Sequence, residues 1–178
     1  EDIAARIQAG LEEIRAFANV GTGHISFGET EDKDWMNNWK EFFKPFRVDD
    51  SIVIKPTWEK LKDVEPGDLV VEIDPGTAFG TGAHETTKLC ICNLKKYLKP
   101  GDTLLDVGCG SGILSIIGMK LGAGCAIGTD IDKNAVETAR ENAKINHLVV
   151  QSGKETATRL PGTAEFRTGN IIGDDAFA

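Results

Sequence analysis

The sequence has no long hydrophobic run, and none of its apolar segments approaches the roughly 20 residues that a membrane-spanning helix needs. It also lacks an excess of positive charge, since 20 Lys and Arg residues stand against 28 Asp and Glu residues, a formal net charge of −8. Binding to nucleic-acid phosphates needs clustered Lys and Arg. The sequence therefore predicts no membrane partner and no direct nucleic-acid binding. The acidic balance would steer a basic partner or simply keep the protein soluble.

Cysteine is scarce, and its spacing is typical of neither a zinc site nor a disulfide framework. The four cysteines are Cys90, Cys92, Cys109 and Cys125. We expect reduced, mostly buried thiols and no metal site. The chain opens on Glu1 and Asp2, which is unlike a signal peptide, so a cytoplasmic setting is the default expectation.

The most informative stretch is Thr103–Gly112, TLLDVGCGSG, in which an apolar strand ends near Asp106 and breaks into glycines at alternate positions: Gly108, Gly110 and Gly112. A strand, a tight turn and a helix start can hold a nucleotide-like ligand. A dinucleotide site would need its third glycine at position 113, which is Ile113. A phosphate-free ligand with an ammonium and a sulfonium, S-adenosylmethionine, suits the acidic Asp106 better.

Hydrophobic periodicity predicts the order of elements. We expect a helix over 3–18, a strand over 23–29, a helix over 34–43 and strands over 51–55 and 68–73. From there the pattern predicts helix 87–98, strand 103–107, helix 113–121, strand 125–130, helix 134–145 and strand 164–168. Strands that alternate with helices indicate an α/β fold, a parallel sheet with helices on both faces.

Asp130 ends the strand that follows the glycines. In a doubly wound sheet this position lies beside the glycine turn, where a carboxylate can accept both hydroxyls of a ribose. The alternative is that Asp130 merely ends a strand and helps to start the next helix. Asp132 is explained as the cap of that helix.

A second notable stretch is 74–87, DPGTAFGTGAHETT, whose glycines predict a mobile loop before a helix that Thr86 or Thr87 caps. Phe79 could cover an adenine or the path to the methyl group. Thr87 could bind the amino-acid end of the cofactor. His84 is more typical of a residue that braces a loop than of a catalyst, and no general base is evident.

Three segments resemble the bacterial methyltransferases of large-subunit ribosomal protein eleven: DPGTAFGTGAHETT, LLDVGCGSGILSIIGMKLGA and GTDIDKNAVETARENAKIN. The resemblance covers residues 35–146. It implies a class I methyltransferase fold and an S-adenosylmethionine-dependent enzyme that methylates lysine and N-terminal amines of one basic ribosomal protein. It also implies cofactor contacts at Thr87, Gly108 and Asp130.

The same resemblance suggests the domain organisation. Residues 1–33 would be the tail of an α+β substrate-recognition domain, 34–58 a linker helix and strand, and 59–178 the amino-terminal part of the methyltransferase domain. The rest of the sheet, with the family's Asn-Ile-Leu motif beside the methyl group, is expected beyond residue 178. A small-molecule methyltransferase of the same fold and a non-catalytic cofactor-binding fragment remain alternatives, and Ile113 disfavours a nicotinamide dehydrogenase.

Overall fold

The computed structural model of the protein describes residues 3–28, 43–61, 64–76, 80–151 and 161–172. The chain divides into two compact units, Glu1–Trp39 and Lys40–Ala178.

The first unit contains helix α1, Ile3–Arg15, with the basic Arg15 in its last turn, where it complements the helix dipole. The strand that we predict over 23–29 is wrong for the described residues 23–28, which are irregular. Phe27 is 74% exposed there, whereas a half-buried strand would cover it. Alternating side chains are necessary for a strand but not sufficient, because a strand also needs a hydrogen-bonding neighbour.

The second unit contains seven strands and three helices among the described residues. They are β1 (Phe46–Arg47), β2 (Ile52–Pro56), β3 (Leu69–Ile73), α2 (Glu85–Tyr97), β4 (Thr103–Val107), α3 (Ile113–Lys120), β5 (Cys125–Asp130), α4 (Lys133–Ile145), β6 (Val149–Gln151) and β7 (Thr163–Thr168). Every element predicted from residue 87 onward is confirmed within a residue or two. The short strands β1 and β6 were not predicted, and the helix predicted over 34–43 falls almost wholly outside the described residues.

The strands form two sheets. In the smaller one β1 is antiparallel to β2, and β2 is parallel to β3. The larger sheet has the order β4-β5-β7-β6 and all its pairs are parallel. This confirms the α/β class and brings the carboxyl ends of β4, β5 and β7 to one edge.

Helices α3 and α4 pack on the sheet face that carries Leu104 and Phe166. The core here is fully buried, with Ile116 and Val136 at 0% exposure, and each such side chain contributes roughly 1.5–3 kcal/mol. On the opposite face Leu105 and Val107 are 51% and 57% exposed, and no helix of the described part covers them. Parallel sheets are normally covered on both faces, so this face of β4 is an unusual apolar surface.

The ends of α4 are capped in two different ways. Asp132 is the predicted N-cap, and its carboxylate accepts from Asn134 N at 2.9 Å. At the other end the chain forms a Schellman motif, in which Leu148 N donates to Ala143 O and His147 N donates to Lys144 O. His147 occupies the left-handed position, with φ of 61°, that usually belongs to glycine.

We expect His147→Gly to raise the free energy of unfolding by about 1 kcal/mol, because glycine adopts the left-handed conformation without steric cost. His147 is exposed, so its replacement removes little packing. Chemical denaturation of both proteins measures the difference, and His147→Ala, which keeps the strain, serves as the control. A glycine variant less stable than the parent would contradict this account.

Candidate functional site

The glycine turn, residues 108–112, has left-handed backbone at each glycine, with φ of 73°, 52° and 79° in order. A Cβ added to Gly108 would meet nothing within 4 Å, so the backbone there lies open to a ligand. A Cβ added to Gly112 would lie 2.9 Å from Ala139 Cβ. The first glycine therefore gives access to the backbone, and the last lets α4 pack closely against the turn.

Most backbone amides of the glycine turn are already used within the protein. Gly108 N and Cys109 N both donate to Thr129 O, at 2.8 and 2.9 Å. Gly110 N donates to Asp130 Oδ2 at 2.9 Å, and Gly112 N donates to Cys109 O at 2.8 Å. A phosphate-binding loop instead points such N–H groups at its ligand. The turn is therefore poorly suited to bind a pyrophosphate.

Asp106 lies at the N-terminus of α3, where it occupies the position that a bound anion would take. It is 7% exposed, and its Oδ2 accepts from Ser115 N at 3.1 Å and from Ser115 Oγ at 2.8 Å. Burial raises the pKa of Asp106, the two Ser115 bonds oppose that rise, and the charge of Asp130 adds to it. The protein thus supplies its own anion to this helix terminus.

Asp130 is the second carboxylate at this edge, and it braces the glycine turn. Its Oδ2 accepts from Gly110 N and its Oδ1 accepts from Asp132 N at 3.0 Å. Each oxygen has a second lone pair, and the side chain is only half-buried, so further donors can still reach it. The predicted residues Asp106, Gly108, Gly110 and Asp130 are therefore brought together.

Ile131 follows Asp130 at the same edge and is 78% exposed. Our interpretation of the sequence did not single it out. The signal available was a large apolar residue between two aspartates, directly after a strand end. A flat apolar ligand surface beside Asp130 would cover this side chain.

Helix α2 begins differently from our prediction. The N-cap is His84 and not Thr86 or Thr87: the His84 ring nitrogen accepts from Thr86 N at 3.3 Å and lies 2.7 Å from Thr86 Oγ1. The cap lies two or three residues before the predicted threonines. An imidazole nitrogen can accept a hydrogen bond from a backbone amide, as a hydroxyl does. His84 therefore has the bracing role that we favoured for it.

Thr87 is half-buried in the first turn of α2, on the helix face that also carries Cys90 and Leu94. That face borders a cavity of about 550 Å³. The cavity is lined by α2, by β4 and its preceding turn, and by Leu114, and it reaches Asp106 at one end. Of the predicted site residues that the structure describes, Asp106 lines this cavity, and Thr87, Gly108, Gly110 and Asp130 do not.

The remaining predictions have mixed outcomes. Phe79 lies outside the described residues. All four cysteines are free, but Cys90 and Cys92 are exposed, so the expectation of mostly buried thiols is wrong for α2. Burial raises the pKa of Cys109 to about 12, which keeps this thiol protonated and unreactive.

The described residues contain no group of three or more His, Cys, Asp or Glu side chains placed to hold a metal ion. None of their helices combines the length and apolar character needed to cross a membrane.

A parallel sheet flanked by helices, with a glycine turn after its first strand and an acid after the second, defines an α/β protein of the class I methyltransferase type. The model of the family described as "Ribosomal protein L11 methyltransferase (PrmA)" matches residues 2–172. The chain belongs to this ribosomal protein L11 methyltransferase family, where L11 is the large-subunit protein eleven.

Individual relatives agree with this assignment. The chain is 65% identical over 170 residues to a ribosomal protein L11 methyltransferase of Lachnoclostridium phytofermentans, covering 94% of this chain and 51% of the relative. It is 47% identical to one of Agathobacter rectalis, with coverages of 97% and 51%. It thus spans about half the length of these curated relatives. A solved ribosomal protein L11 methylase from Lactobacillus delbrueckii subsp. bulgaricus is similar with a TM-score of 0.60 and 30% identity, covering 75% of this chain and 62% of that one.

The raised pKa of Asp106 predicts a pH-dependent stability effect. A buried carboxylate binds its proton more tightly in the folded than in the unfolded protein, so its ionisation costs stability as pH rises from its ordinary pKa through its folded pKa. We expect Asp106→Asn, which keeps an acceptor for Ser115, to gain thermal stability relative to the parent as pH rises from about 4 to about 7. Melting temperatures across this range measure the difference.

Ser115→Ala is the matched control for this prediction, because it removes one donor to Oδ2 and leaves the carboxylate in place. It should lose stability where Asp106→Asn gains it. A difference between Asp106→Asn and the parent that did not change with pH would refute the assignment.

Proposed function

We propose that the chain is the cofactor-binding part of an S-adenosylmethionine-dependent enzyme that methylates lysine and N-terminal amino groups of ribosomal protein L11. The family assignment supports methyl transfer to this protein. The observation that carries the choice of cofactor is the filled anion position at α3. Asp106 accepts a backbone amide of the first turn of α3, and most amides of the glycine turn are occupied, which disfavours a pyrophosphate and favours a cationic, phosphate-free nucleoside.

The residues fit such a ligand by their chemistry. Asp130 would accept the two ribose hydroxyls with its outward lone pairs. Gly108 would let the nucleoside approach the backbone, and Gly110, held by Asp130, would keep the turn in shape. The exposed Ile131 would pack on the adenine face, and Phe79 is proposed for another side of the ligand.

The positive end of the cofactor would lie toward Asp106 and α2. The carboxylate of Asp106 has its Oδ2 turned to Ser115, and the residue lines the cavity between α2 and β4. Thr87 would donate to or accept from the amino-acid end of the cofactor. In this proposal the sulfonium would lie between the two carboxylates, whose negative charge would favour it.

When bound, the cofactor supplies an electrophilic methyl group on sulfur, already joined to a good leaving group. In the proposed reaction a neutral amine would form the new C–N bond as the C–S bond breaks, the bonding pair would stay on sulfur, and the ammonium product would lose a proton to solvent. The contribution of this chain is alignment and exclusion of water. No side chain in it is proposed as a general base.

The longer protein would provide substrate recognition. We propose that residues 1–33 belong to an accessory substrate-recognition domain, 34–58 to a linker and 59–178 to the methyltransferase domain. The net charge of −8 favours encounter with a basic ribosomal protein. Such a substrate places the enzyme in the cytoplasm.

A calorimetric titration of the protein with S-adenosylhomocysteine, and separately with NAD, tests the cofactor assignment. We expect binding of the first and none of the second, and the reverse would overturn it. Transfer of labelled methyl from S-adenosylmethionine to purified ribosomal protein L11 then tests the reaction. Binding without transfer by the 178-residue chain, with transfer by a chain of the relatives' full length, would assign this half to cofactor binding alone.

We expect Asp130→Ala to weaken S-adenosylhomocysteine binding at least about tenfold, because two charge-assisted ribose bonds are lost and each is worth about 1.5–3 kcal/mol at most. Since Asp130 also braces Gly110, the matched control is Asp132→Ala. That variant should lose about 1 kcal/mol of helix capping and keep its affinity. Equal affinity of the parent and the Asp130 variant, with both folded, would remove Asp130 from the site.

A further inference from the structure

Asn142 lies on α4 with its side chain at 0% exposure, and it links two parts of the chain that are distant in sequence. Its Nδ2 donates to Asp74 O and to Ser111 O, both at 3.0 Å, and its Oδ1 accepts from Asp74 N at 2.9 Å. One carboxamide therefore holds the residue after β3 and the glycine turn at the same time.

Ser111 makes the second link. It too is 0% exposed, and its Oγ donates to Gly80 O at 2.6 Å. A Cβ added to Gly80 would lie 2.8 Å from Ser111 Oγ, so the two segments are in direct contact. Asp74 and Gly80 are both linked to Ser111. Asp74 is linked through Asn142, which donates to the Ser111 carbonyl, and Gly80 accepts directly from the Ser111 hydroxyl.

Asn146, one turn later on α4, shows what a purely structural asparagine does here. Its Nδ2 donates to Glu72 O at 2.6 Å and its Oδ1 accepts from Glu72 N at 3.0 Å. This contact satisfies the backbone edge of β3, as Asn142 does at Asp74, but the hydrogen bonds of Asn146 lead to β3 and to α4 itself, not to the glycine turn. A comparison of Asn142 with Asn146 therefore distinguishes two roles: hydrogen bonding to the backbone at the end of β3, which both residues do, and attachment to the glycine turn, which only Asn142 does.

We propose that Asn142 and Ser111 are positioning residues that couple the segments at 74–76 and 80–84 to the glycine turn, so that cofactor affinity depends on both residues without either touching the cofactor. The inference rests on the proposed function for its ligand. The three bonds of the buried Asn142 amide fix Asp74 to the glycine turn before binding, and the Ser111 hydroxyl fixes Gly80 to the same turn. Ordering them in advance avoids an entropic cost at the moment of binding. The same segment continues through the His84 cap into α2 and Thr87.

The test compares Asn142→Ala with Asn146→Ala in the full chain, with S-adenosylhomocysteine as the probe. Both variants remove buried bonds to the β3 edge, so both should lower the melting temperature. We expect only Asn142→Ala to weaken binding, by at least about fivefold, with Asn146→Ala within about twofold of the parent. Weakening of both in proportion to their loss of stability would overturn the proposal.

Ser111→Ala provides the second variant, because it removes one hydroxyl and is less disruptive to folding. Amide hydrogen exchange at residues 80–84 should accelerate in Ser111→Ala, and the Ser115→Ala control should leave these amides unchanged. The double variant Asn142→Ala with Ser111→Ala should weaken binding less than the product of the single effects, since both act through one link. Unchanged exchange at 80–84 in Ser111→Ala would also overturn the coupling.

The outcomes separate this proposal from the proposed function. If the parent chain binds no S-adenosylhomocysteine, the cofactor assignment fails, and the coupling is judged by hydrogen exchange alone. If the parent binds and Asn142→Ala binds equally well while folded, the cofactor assignment survives and the positioning role is refuted.

Discussion

The carboxylate of Asp106 at the N-terminus of α3 is the constraint on which the chemistry of this site depends. A helix N-terminus attracts an anion, and here the anion is a side chain held by two Ser115 bonds. A ligand that approaches this turn therefore meets a carboxyl group and few free amide donors. This is the observation that supports our proposal of a cationic, phosphate-free ligand.

Backbone conformation and hydrogen bonding in the glycine turn support each other. The left-handed glycines let the chain reverse within five residues, and Thr129 O and Asp130 accept the amides that this reversal directs toward β5. Because the amides of the turn are hydrogen-bonded to β5, no protein group has to cover Gly108, and the space beside it is open. The turn is rigid on its protein side and accessible on its solvent side, which is the combination that a preorganised site needs.

The candidate site lies next to an exposed apolar surface on strand β4 of the larger sheet. Leu105 and Val107 lie one strand position on either side of Asp106, and they face away from α3. The carboxylate and the apolar surface are thus two faces of the same strand. Burial of an apolar strand face of this kind would contribute about 25 cal/mol per Å² of apolar area removed from water.

Apart from β6, the elements from residue 87 onward were predictable, and so were the positions of Asp106, Gly108 and Asp130 at the strand ends and the glycine turn, because periodicity, capping and glycine spacing act over a few residues. Sequence alone could not decide that His84 caps α2, that residues 23–28 lack a strand, or that β1 pairs with β2. These outcomes depend on neighbours that the local pattern does not contain. The clearest case is Asn142, whose partner Asp74 is 68 residues away. A polar residue on a helix is ordinarily solvated. Tertiary packing buries Asn142, and because a buried donor has to find an acceptor, its amide links two segments that are distant in sequence.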